Sequence, residues 1–231
     1  MAVFEKSSPW RIQARQVRQT QNENLPRISR SSLKRIFDVV GASIGLVVLS
    51  PLMLMLAALV KFTDGGSVFY GHRRIGRNGS TFKCLKFRTM AANSEELLEI
   101  YLSENESARV EWDRDRKLKS DPRITSIGVV LRNLSLDELP QLFNILLGEM
   151  SMVGPRPVVS DELEKYGAAA QYYLSTRPGL TGLWQISGRN DVSYGRRVEL
   201  DQIYVKNWSF QSDLVIIIKT IPVVCLAKGS Y

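Results

Sequence analysis

The chain has 231 residues, and 31 Lys and Arg against 23 Asp and Glu give a formal net charge of +8. Its 44% hydrophobic and 23% charged residues suit a sizeable core, which excludes wholesale disorder, collagen-like repeats and a polytopic membrane protein. Two cysteines and one histidine exclude a disulfide framework and a Cys/His zinc site, and they indicate a reducing, cytosolic environment. The basic charge suits nucleic acid, an anionic membrane or a phosphorylated substrate, and composition does not choose among them.

Residues 1–30 are rich in Gln, Arg, Asn and Ser and have no apolar period. We predict that they form a disordered or surface-bound basic tail. They also lack the apolar core of a secretory signal peptide, so none is predicted.

An uncharged apolar run, Val39–Val60, follows the tail. It is long enough to cross a bilayer, which takes about 20 apolar residues. A buried helix of a soluble domain is the weaker interpretation, because the run is apolar on every face. Pro51 removes a backbone donor and its ring opposes the carbonyl of Val47, so we expect a kink or break at Ser50–Pro51.

Basic residues flank the apolar run on both sides. They are Arg27, Arg30, Lys34 and Arg35 before it, and Lys61, Arg73, Arg74, Arg77, Lys83, Lys86 and Arg88 after it. Because basic flanks prefer the cytoplasm, a single span would place one cluster on the wrong side of the membrane. The sequence therefore favours a re-entrant helix-break-helix hairpin over residues 31–62, with a spanning helix as the alternative.

Two β-leaning runs flank Arg77-Asn78-Gly79, and Asn-Gly between such runs predicts a β-hairpin. Lys83, Lys86 and Arg88 follow in the second run, where the pattern alone favours a solvent-facing strand. Residues 93–119 are predicted to form a charged, solvent-facing helix that ends before the break at 121–122.

Ser135-Leu-Asp-Glu138 lies between two amphipathic segments and has the form of a capping box. Spacing alone favours structural capping. The functional alternative is that Asp137 and Glu138 lie at a helix N-terminus, where the dipole keeps carboxylates ionised and suited to act as nucleophile or Mg²⁺ ligand. Arg132 could then supply a phosphate clamp.

Two loops combine rigid backbone with arginine. Pro155 and Pro157 bracket Arg156, which stiffens the backbone around a bidentate phosphate-binding side chain. In the second loop, Arg177 precedes Pro-Gly and Arg189 follows. For the first loop a rigid turn with an exposed arginine is an equally good interpretation, and no Walker A or dinucleotide fingerprint is present.

The C-terminal third predicts a helix over residues 192–208 and a shorter apolar helix over 214–226, which is buried or lies on a membrane. Given the apolar run upstream, the membrane-surface position is favoured. The predicted fold class is therefore α+β, mostly helical, with a membrane hairpin and a small cytosolic domain, residues 63–231, that contains a β-hairpin and interfacial amphipathic helices.

The sequence resembles the bacterial sugar transferase family of monotopic polyprenol-phosphate phosphoglycosyltransferases, and most closely its rhizobial exopolysaccharide members. The likeness runs from about Leu33 to Ser230. Its motifs are Lys34-Arg35-Ile-Phe-Asp38, Ser50-Pro51, Lys86-Phe-Arg88-Thr-Met90, Asp121-Pro-Arg-Ile-Thr125, Leu134-Ser-Leu-Asp-Glu-Leu-Pro-Gln-Leu-Phe-Asn144, Gly154-Pro-Arg-Pro157, Arg177-Pro-Gly-Leu-Thr-Gly182 and Gly188-Arg-Asn190.

The resemblance implies a two-step transfer at the cytoplasmic face of the bacterial inner membrane. Asp137 would attack the sugar-bearing phosphorus of a UDP-sugar, UDP-galactose or UDP-glucose, and release UMP, and undecaprenyl phosphate would then take up the group. Glu138 corresponds to the family's Mg²⁺ ligand. The implied phosphate and nucleotide contacts are Arg132 and Arg156, with Lys86, Arg88, Arg177 and Arg189 as weaker members.

Two other function classes fit the composition. A membrane-tethered protein could bind nucleic acid or anionic lipid through its basic patches, but this leaves Asp137, Glu138 and the Pro-Arg-Pro loop without a role. A non-catalytic scaffold is disfavoured because the carboxylate pair is intact. Nucleic acid is the least favoured partner, and the sugar and the oligomeric state stay open.

Overall fold

The computed structural model of the chain describes residues 26–115, 117–188 and 192–225. Within them the fold is α+β and mostly helical, as predicted, with two small two-stranded sheets. The helices are α1 Arg27–Arg30, α2 Ser32–Asp64, α3 Ser94–Glu104, α4 Glu106–Asp115, α5 Ser126–Asn133, α6 Gln141–Leu147, α7 Ser160–Glu164, α8 Ala170–Ser175, α9 Tyr194–Lys206 and α10 Phe210–Cys225. The strands are β1 Phe69–Ile75, β2 Thr81–Phe87, β3 Ser151–Val153 and β4 Gly179–Thr181.

Most of the predicted tail lies outside the described residues. Its last part, α1, forms one helical turn, and Ile28 packs in a buried cluster with Val153, Tyr204 and Val205. The folded part of the chain therefore begins before residue 30, because the Ile28 side chain is buried in the core.

Helix α2 contains the apolar run, and within the part of the chain that the structure describes it is the one helix long and apolar enough to cross a membrane. Ser31 caps it, since its Oγ accepts from the amide of Lys34 at 3.1 Å, and Gly65 ends it in the left-handed region. One face is buried against the rest of the protein, and its apolar members are Ala42, Met53, Leu56 and Val60. The opposite face exposes Ile44, Val47, Val48, Leu54 and Met55.

The helical backbone of α2 continues through Ser50–Pro51, so the expected break in secondary structure is absent. Pro51 has no amide hydrogen to donate to the carbonyl of Val47, four residues earlier. The hydroxyl of Ser50 donates to that carbonyl instead, at 2.8 Å. Because the orphaned acceptor is satisfied locally, the helix tolerates the proline at low cost.

The predicted β-hairpin is confirmed. Strands β1 and β2 pair antiparallel from Phe69 opposite Phe87 to Ile75 opposite Thr81. Asn78 lies in the left-handed region (φ 58°), which asparagine tolerates better than most residues, and Gly79 follows it there. The side of β2 that carries Phe82 and Cys84 is buried against α2 and α6.

The charged segment forms two helices, α3 and α4, where one was predicted. Asn105 separates them with extended backbone, and its side-chain amide and backbone amide both bond the carbonyl of Tyr101. A side chain that binds the backbone of the preceding turn ends that helix.

A buried ion pair holds the start of α2 against the start of α10. Lys34 Nζ donates to Asp213 Oδ2 at 2.7 Å, to the Val153 carbonyl at 2.9 Å and to Tyr204 Oη at 3.3 Å. Both side chains of the pair are almost fully buried. Trp208 and Tyr204 also donate to Asp213, so this carboxylate is fully engaged.

We expect Lys34→Met to destabilise the protein by about 3–5 kcal/mol, because it leaves the buried Asp213 carboxylate without its counter-ion. Thermal unfolding of the detergent-solubilised protein measures this. Lys119→Met, which removes an exposed lysine, is the control and should unfold near the wild-type temperature. Equal unfolding temperatures for the two variants would contradict a stabilising role for the pair.

Helix α9 confirms the predicted amphipathic helix, with Leu200, Tyr204 and Val205 buried. Helix α10 buries Asp213 and Ile216 and exposes Leu214, Val215, Ile218 and Ile221. An exposed apolar face of this size on a helix is typical of a surface that meets a membrane or another protein.

Candidate active site

The two adjacent carboxylates lie in a short 3₁₀ turn, Leu136–Glu138, between α5 and α6. Helix α5 leads into it, capped by Thr125, whose Oγ1 accepts from the amide of Gly128 at 3.0 Å. Leu136 and Leu139 pack on the apolar cluster that joins α2 to β2 and α5. These leucines anchor the turn on both sides of the carboxylates.

The predicted capping box is wrong. Ser135 has left-handed backbone (φ 55°), and its side chain makes no capping hydrogen bond. Helix α6 begins only at Gln141, with Pro140 at its N-cap position. The carboxylates are therefore not held ionised by the dipole of a long helix, since the turn that carries them is a single turn of three residues.

Lys86 supplies the missing charge. It projects from β2 toward the turn, and its Nζ donates to Glu138 Oε1 at 2.7 Å and to Asp137 Oδ2 at 3.3 Å. The prediction of a solvent-facing strand is wrong at this position, because Lys86 shares the side of β2 that carries Phe82 and Cys84. We name Lys86, Asp137 and Glu138 the carboxylate triad.

Burial determines the electrostatics of the triad. The Asp137 side chain is 12% exposed, against 37% for Glu138. Burial raises the pKa of Asp137, while the Lys86 ammonium acts in the opposite direction. Burial by itself would lower the pKa of Lys86, but the attraction of Glu138 and Asp137 outweighs it and raises that pKa. Asp137 is thus a desolvated carboxylate whose negative charge one lysine compensates in part, the condition that activates a carboxylate nucleophile.

Arg132 lies at the end of α5 and is oriented by Thr89, whose Oγ1 accepts from Arg132 Nε at 2.9 Å. Burial lowers the pKa of Arg132, and the attraction of Asp137 partly restores it, so the guanidinium and the carboxylate are neighbours. The structure therefore brings Arg132 to the carboxylate triad. Thr89 is a positioning residue that the sequence interpretation missed.

Arg88 is held by the end of α2. Its guanidinium forms a two-pronged ion pair with Asp64, with one of the two contacts at 3.0 Å, and Asp64 also accepts from the amide of Ala92 at 2.8 Å. A Cβ at Gly66 would meet this guanidinium, so a larger residue there would displace the Arg88 side chain. Arg88 thus joins the apolar helix to the strand that carries Lys86.

The two rigid loops predicted separately form one unit. Strands β3 and β4 pair in parallel, the amide of Gly154 donates to the Thr181 carbonyl at 2.9 Å, and that of Gly179 donates to the Pro155 carbonyl at 2.8 Å. Glycine is needed at 154, since a Cβ there would meet the Arg177 carbonyl. The close approach fixes the backbone on both sides of Arg156.

Arg156 faces aromatic and cationic neighbours. Its guanidinium lies 5.6 Å from the ring centroid of Trp184, and that of Arg197 lies 4.9 Å from the same ring. Beneath them is Asp201, which accepts from Tyr166 Oη at 2.8 Å. Burial raises the pKa of Asp201 to about 7. Trp184 and Asp201 were missed from sequence because no local motif marks them.

The remaining predicted arginines lie elsewhere. The side chain of Arg177 bonds the Gly148 carbonyl at 2.7 Å, at the end of α6, and lines a cavity to which the carboxylate triad does not contribute. Arg189 lies outside the described residues.

The two carboxylates of the triad, Asp137 and Glu138, form a donor set that suits Mg²⁺. In the described ranges no group of three or more metal-ligating side chains occurs. Mg²⁺, however, is commonly bound by one or two carboxylates together with substrate phosphates and water. Asp137 and Glu138 meet that requirement, and Glu138 is the more accessible of the two.

A family model for bacterial sugar transferases matches residues 29–227. The chain belongs to this family and is a sugar transferase enzyme, which confirms the resemblance inferred from the motifs. It is 66% identical over 198 residues to the exopolysaccharide production protein ExoY of Rhizobium meliloti, which covers 86% of this chain and 88% of that protein.

Two further relatives have names that state an activity. The undecaprenyl-phosphate galactose phosphotransferase of Salmonella typhimurium is 53% identical over 208 residues, 90% of this chain and 44% of that protein. The UDP-glucose:undecaprenyl-phosphate glucose-1-phosphate transferase of Klebsiella pneumoniae is 36% identical over 206 residues, 86% of this chain and 41% of that protein. The chain thus spans less than half the length of these two relatives.

Proposed function

We propose that the protein transfers a sugar 1-phosphate, galactose 1-phosphate, from a UDP-sugar to undecaprenyl phosphate and so starts an exopolysaccharide repeat unit. The observation that carries the proposal is the desolvated Asp137 carboxylate, paired with Lys86 and next to Arg132. The names of the relatives supply the substrate classes. Galactose is preferred to glucose because the relative named for galactose is the more similar of the two.

Asp137 acts as the nucleophile in the proposed reaction. One carboxylate oxygen attacks the sugar-bearing phosphorus of the UDP-sugar, the bond from that phosphorus to the oxygen of UMP breaks, and UMP leaves. In the second step a phosphate oxygen of undecaprenyl phosphate attacks the same phosphorus and releases Asp137. Passage through a phosphoryl-aspartate divides one transfer between two bulky substrates into two easier steps and predicts ping-pong kinetics.

Charge neutralisation and positioning are what phosphoryl transfer mainly requires. Lys86 and Arg132 supply fixed positive charge next to the attacking carboxylate. Glu138 would hold a Mg²⁺ ion, which when bound neutralises phosphate charge. Lys86 donates to both carboxylates, so its ammonium holds them side by side before substrate arrives.

The unit around Arg156 is the proposed nucleotide end of the site. Arg156 presents a charged group above the Trp184 ring, on a backbone that two prolines and two backbone hydrogen bonds between the loops hold in place. Trp184 Nε1 and Gln185 Oε1 are buried and have no hydrogen-bond partner among the described residues. One donor and one acceptor beside an aromatic ring suit a pyrimidine base and its phosphates.

Helix α2 supports the proposal that the chain enters and leaves the membrane on one side. Its first half is bonded to the body through Asp38, whose Oδ1 accepts from Ser151 and from the amide of Met152. Its second half packs through Val60 against Phe87 and Leu131. A helix that crosses the bilayer has its two ends on opposite sides of a hydrocarbon core about 30 Å thick. Because one folded body holds both halves of α2, a re-entrant or in-plane helix is favoured.

The cytoplasmic face is the proposed side, because both flanks of α2 are basic. The exposed apolar residues of α2 and of α10 would then lie in the inner membrane, with the carboxylate triad at the level of the headgroups. That position lets a lipid phosphate and a soluble nucleotide sugar reach the same carboxylate.

UMP release tests the proposal. Membranes that carry the protein are incubated with Mg²⁺, undecaprenyl phosphate and UDP-galactose, UDP-glucose or other UDP-sugars in turn. We expect UDP-galactose to give the fastest UMP release and a labelled polyprenyl product. If no UDP-sugar gives more UMP release than membranes that lack the protein, the activity is refuted. If UDP-glucose is preferred, only the assignment of galactose is refuted.

Glu138→Gln tests the proposed metal ligand. We expect the Mg²⁺ concentration for half-maximal activity to rise by about tenfold or more, because an amide is a weaker Mg²⁺ ligand than a carboxylate. Glu149→Gln, a carboxylate bonded to Asn144 rather than placed in the carboxylate triad, is the control and should keep the wild-type Mg²⁺ response. An unchanged Mg²⁺ response in Glu138→Gln would remove Glu138 from the metal site.

A further inference from the structure

A polar cavity, to which no residue of the carboxylate triad contributes, lies where α2 begins. Arg35, Arg77 and Arg177 line it together with a single carboxylate, Asp38. Asp38 lies eight residues before Leu46, the first residue of α2 in the apolar cluster beside the carboxylate triad, which corresponds to roughly 12 Å of helix. The cavity is therefore separate from the proposed transfer site.

The three arginines come from three distant parts of the chain. Arg35 donates to the carbonyls of Ile145 and Leu146, and Arg177 to that of Gly148, so both face the end of α6. Arg77, from the turn of the β-hairpin, donates to the Ser29 carbonyl at 3.0 Å. The tertiary fold alone brings these guanidiniums to one cavity.

The cavity carries excess positive charge. None of the three arginines forms an ion pair with a carboxylate within the described ranges, and the other cation that lines the cavity, Lys34, is paired with Asp213. Asp38 is turned toward β3, where its Oδ1 accepts two hydrogen bonds. Three guanidiniums around one carboxylate leave an excess of two positive charges.

Arg77 also keeps an unused donor. Its Nε is buried and has no hydrogen-bond partner within the described residues. Burial lowers the pKa of Arg177, and repulsion by Arg77 and Arg35 lowers it further, so the three charges are close enough to interact. Half-buried cations that repel one another cost free energy unless an anion compensates them.

We propose that this cavity binds a phosphate group through Arg77 and Arg177, with Arg35 adding positive charge. A tetrahedral oxyanion accepts several charge-assisted hydrogen bonds at once, which suits guanidiniums that converge from different directions. Ser31 and the start of α2 add the partial positive charge of a helix N-terminus. The phosphate belongs either to the headgroup of an anionic lipid beside the apolar helix or to a soluble phosphorylated molecule.

Thermal unfolding of the full-length protein in a non-ionic detergent tests the site, with sodium phosphate compared with sodium chloride at equal ionic strength. We expect phosphate to raise the unfolding temperature of the wild type. In Arg77→Gln the apparent affinity for phosphate should fall by about tenfold or more, the loss expected for a hydrogen bond between charged groups. Lys83→Gln, which removes an exposed charge from the same hairpin, is the matched control and should respond as the wild type does.

Arg156→Gln separates this proposal from the proposed function. A phosphate response that persists in Arg156→Gln and is lost in Arg77→Gln supports the cavity, whatever the transfer assay gives. A response that Arg77→Gln retains, or that Arg156→Gln alone abolishes, overturns it.

Lipid retention identifies the source of the phosphate. Protein reconstituted with phosphatidylcholine and phosphatidic acid is purified again, and the retained lipid is measured by mass spectrometry. Phosphatidic acid retained by the wild type and by Lys83→Gln, and lost in Arg77→Gln, supports a headgroup. Stabilisation by free phosphate without retained lipid supports a soluble ligand, and the absence of both overturns the site.

Discussion

Asp137→Asn is expected to abolish sugar-phosphate transfer while the protein keeps its fold. The amide cannot attack phosphorus, so UMP release should fall by at least about 10⁴-fold, as is usual when a covalent nucleophile is removed. The fold should persist because Lys86 keeps its shorter bond, that to Glu138. UMP release from UDP-galactose and the thermal unfolding temperature are the two measurements.

Asp161→Asn is the matched control, because it makes the same substitution at an exposed carboxylate on α7. It should retain wild-type activity. The wild type incubated with labelled UDP-sugar and no lipid acceptor should carry label on the peptide that contains Asp137. Label trapped on the Asp137→Asn protein would show that another residue is the nucleophile.

Lys86→Met should lower kcat/KM by about 100- to 1,000-fold at neutral pH, the usual cost of removing one preorganised electrostatic contact. Burial raises the pKa of Asp137, and Lys86 partly opposes this. Without the ammonium that pKa rises further, so a larger fraction of the carboxylate is protonated and cannot attack. The acidic limb of the pH–rate profile should therefore move to higher pH.

Lys86→Arg retains a positive charge and should restore the acidic limb toward its wild-type position. Lys83→Gln, on the exposed side of the same strand, should leave the profile unchanged. If Lys86→Met lowers the rate equally at every pH, Lys86 does not act through the ionisation of Asp137, and the argument from burial fails. Unfolding temperatures of all three variants exclude loss of structure as the cause.

Several features could be predicted because their causes are local. Asn78-Gly79 marked the hairpin through the left-handed backbone that its turn requires. The helical spacing of Leu200 and Tyr204, four residues apart, predicted α9. The adjacent Asp137 and Glu138 predicted a site for a nucleophile or a Mg²⁺ ligand. The hydroxyl of Ser50, three residues after the Val47 carbonyl, is also a local signal, and the expectation of a break did not take it into account.

Two errors at the site share one cause, a long-range contact. The Ser-x-x-Glu spacing predicts a helix cap at Ser135, but the turn is held by leucines that pack on α2 and β2. The alternation of charge along β2 predicts a solvent-facing strand. Which side of a strand is solvated depends on what packs against it, and here the carboxylate turn occupies the side of Lys86.

By itself, then, the sequence determined the helical and hairpin segments, the length and apolar character of α2, and the residue types that phosphoryl transfer needs. Only the tertiary structure decided which of those charges meet. Arg156 and Arg177 both sit in proline-stiffened loops, and their backbones are hydrogen-bonded together, yet one side chain lies over Trp184 and the other at the end of α6. The pairing of Lys86 with Asp137 spans 51 residues, and the energy of such a contact depends on distance and burial, which no local pattern encodes.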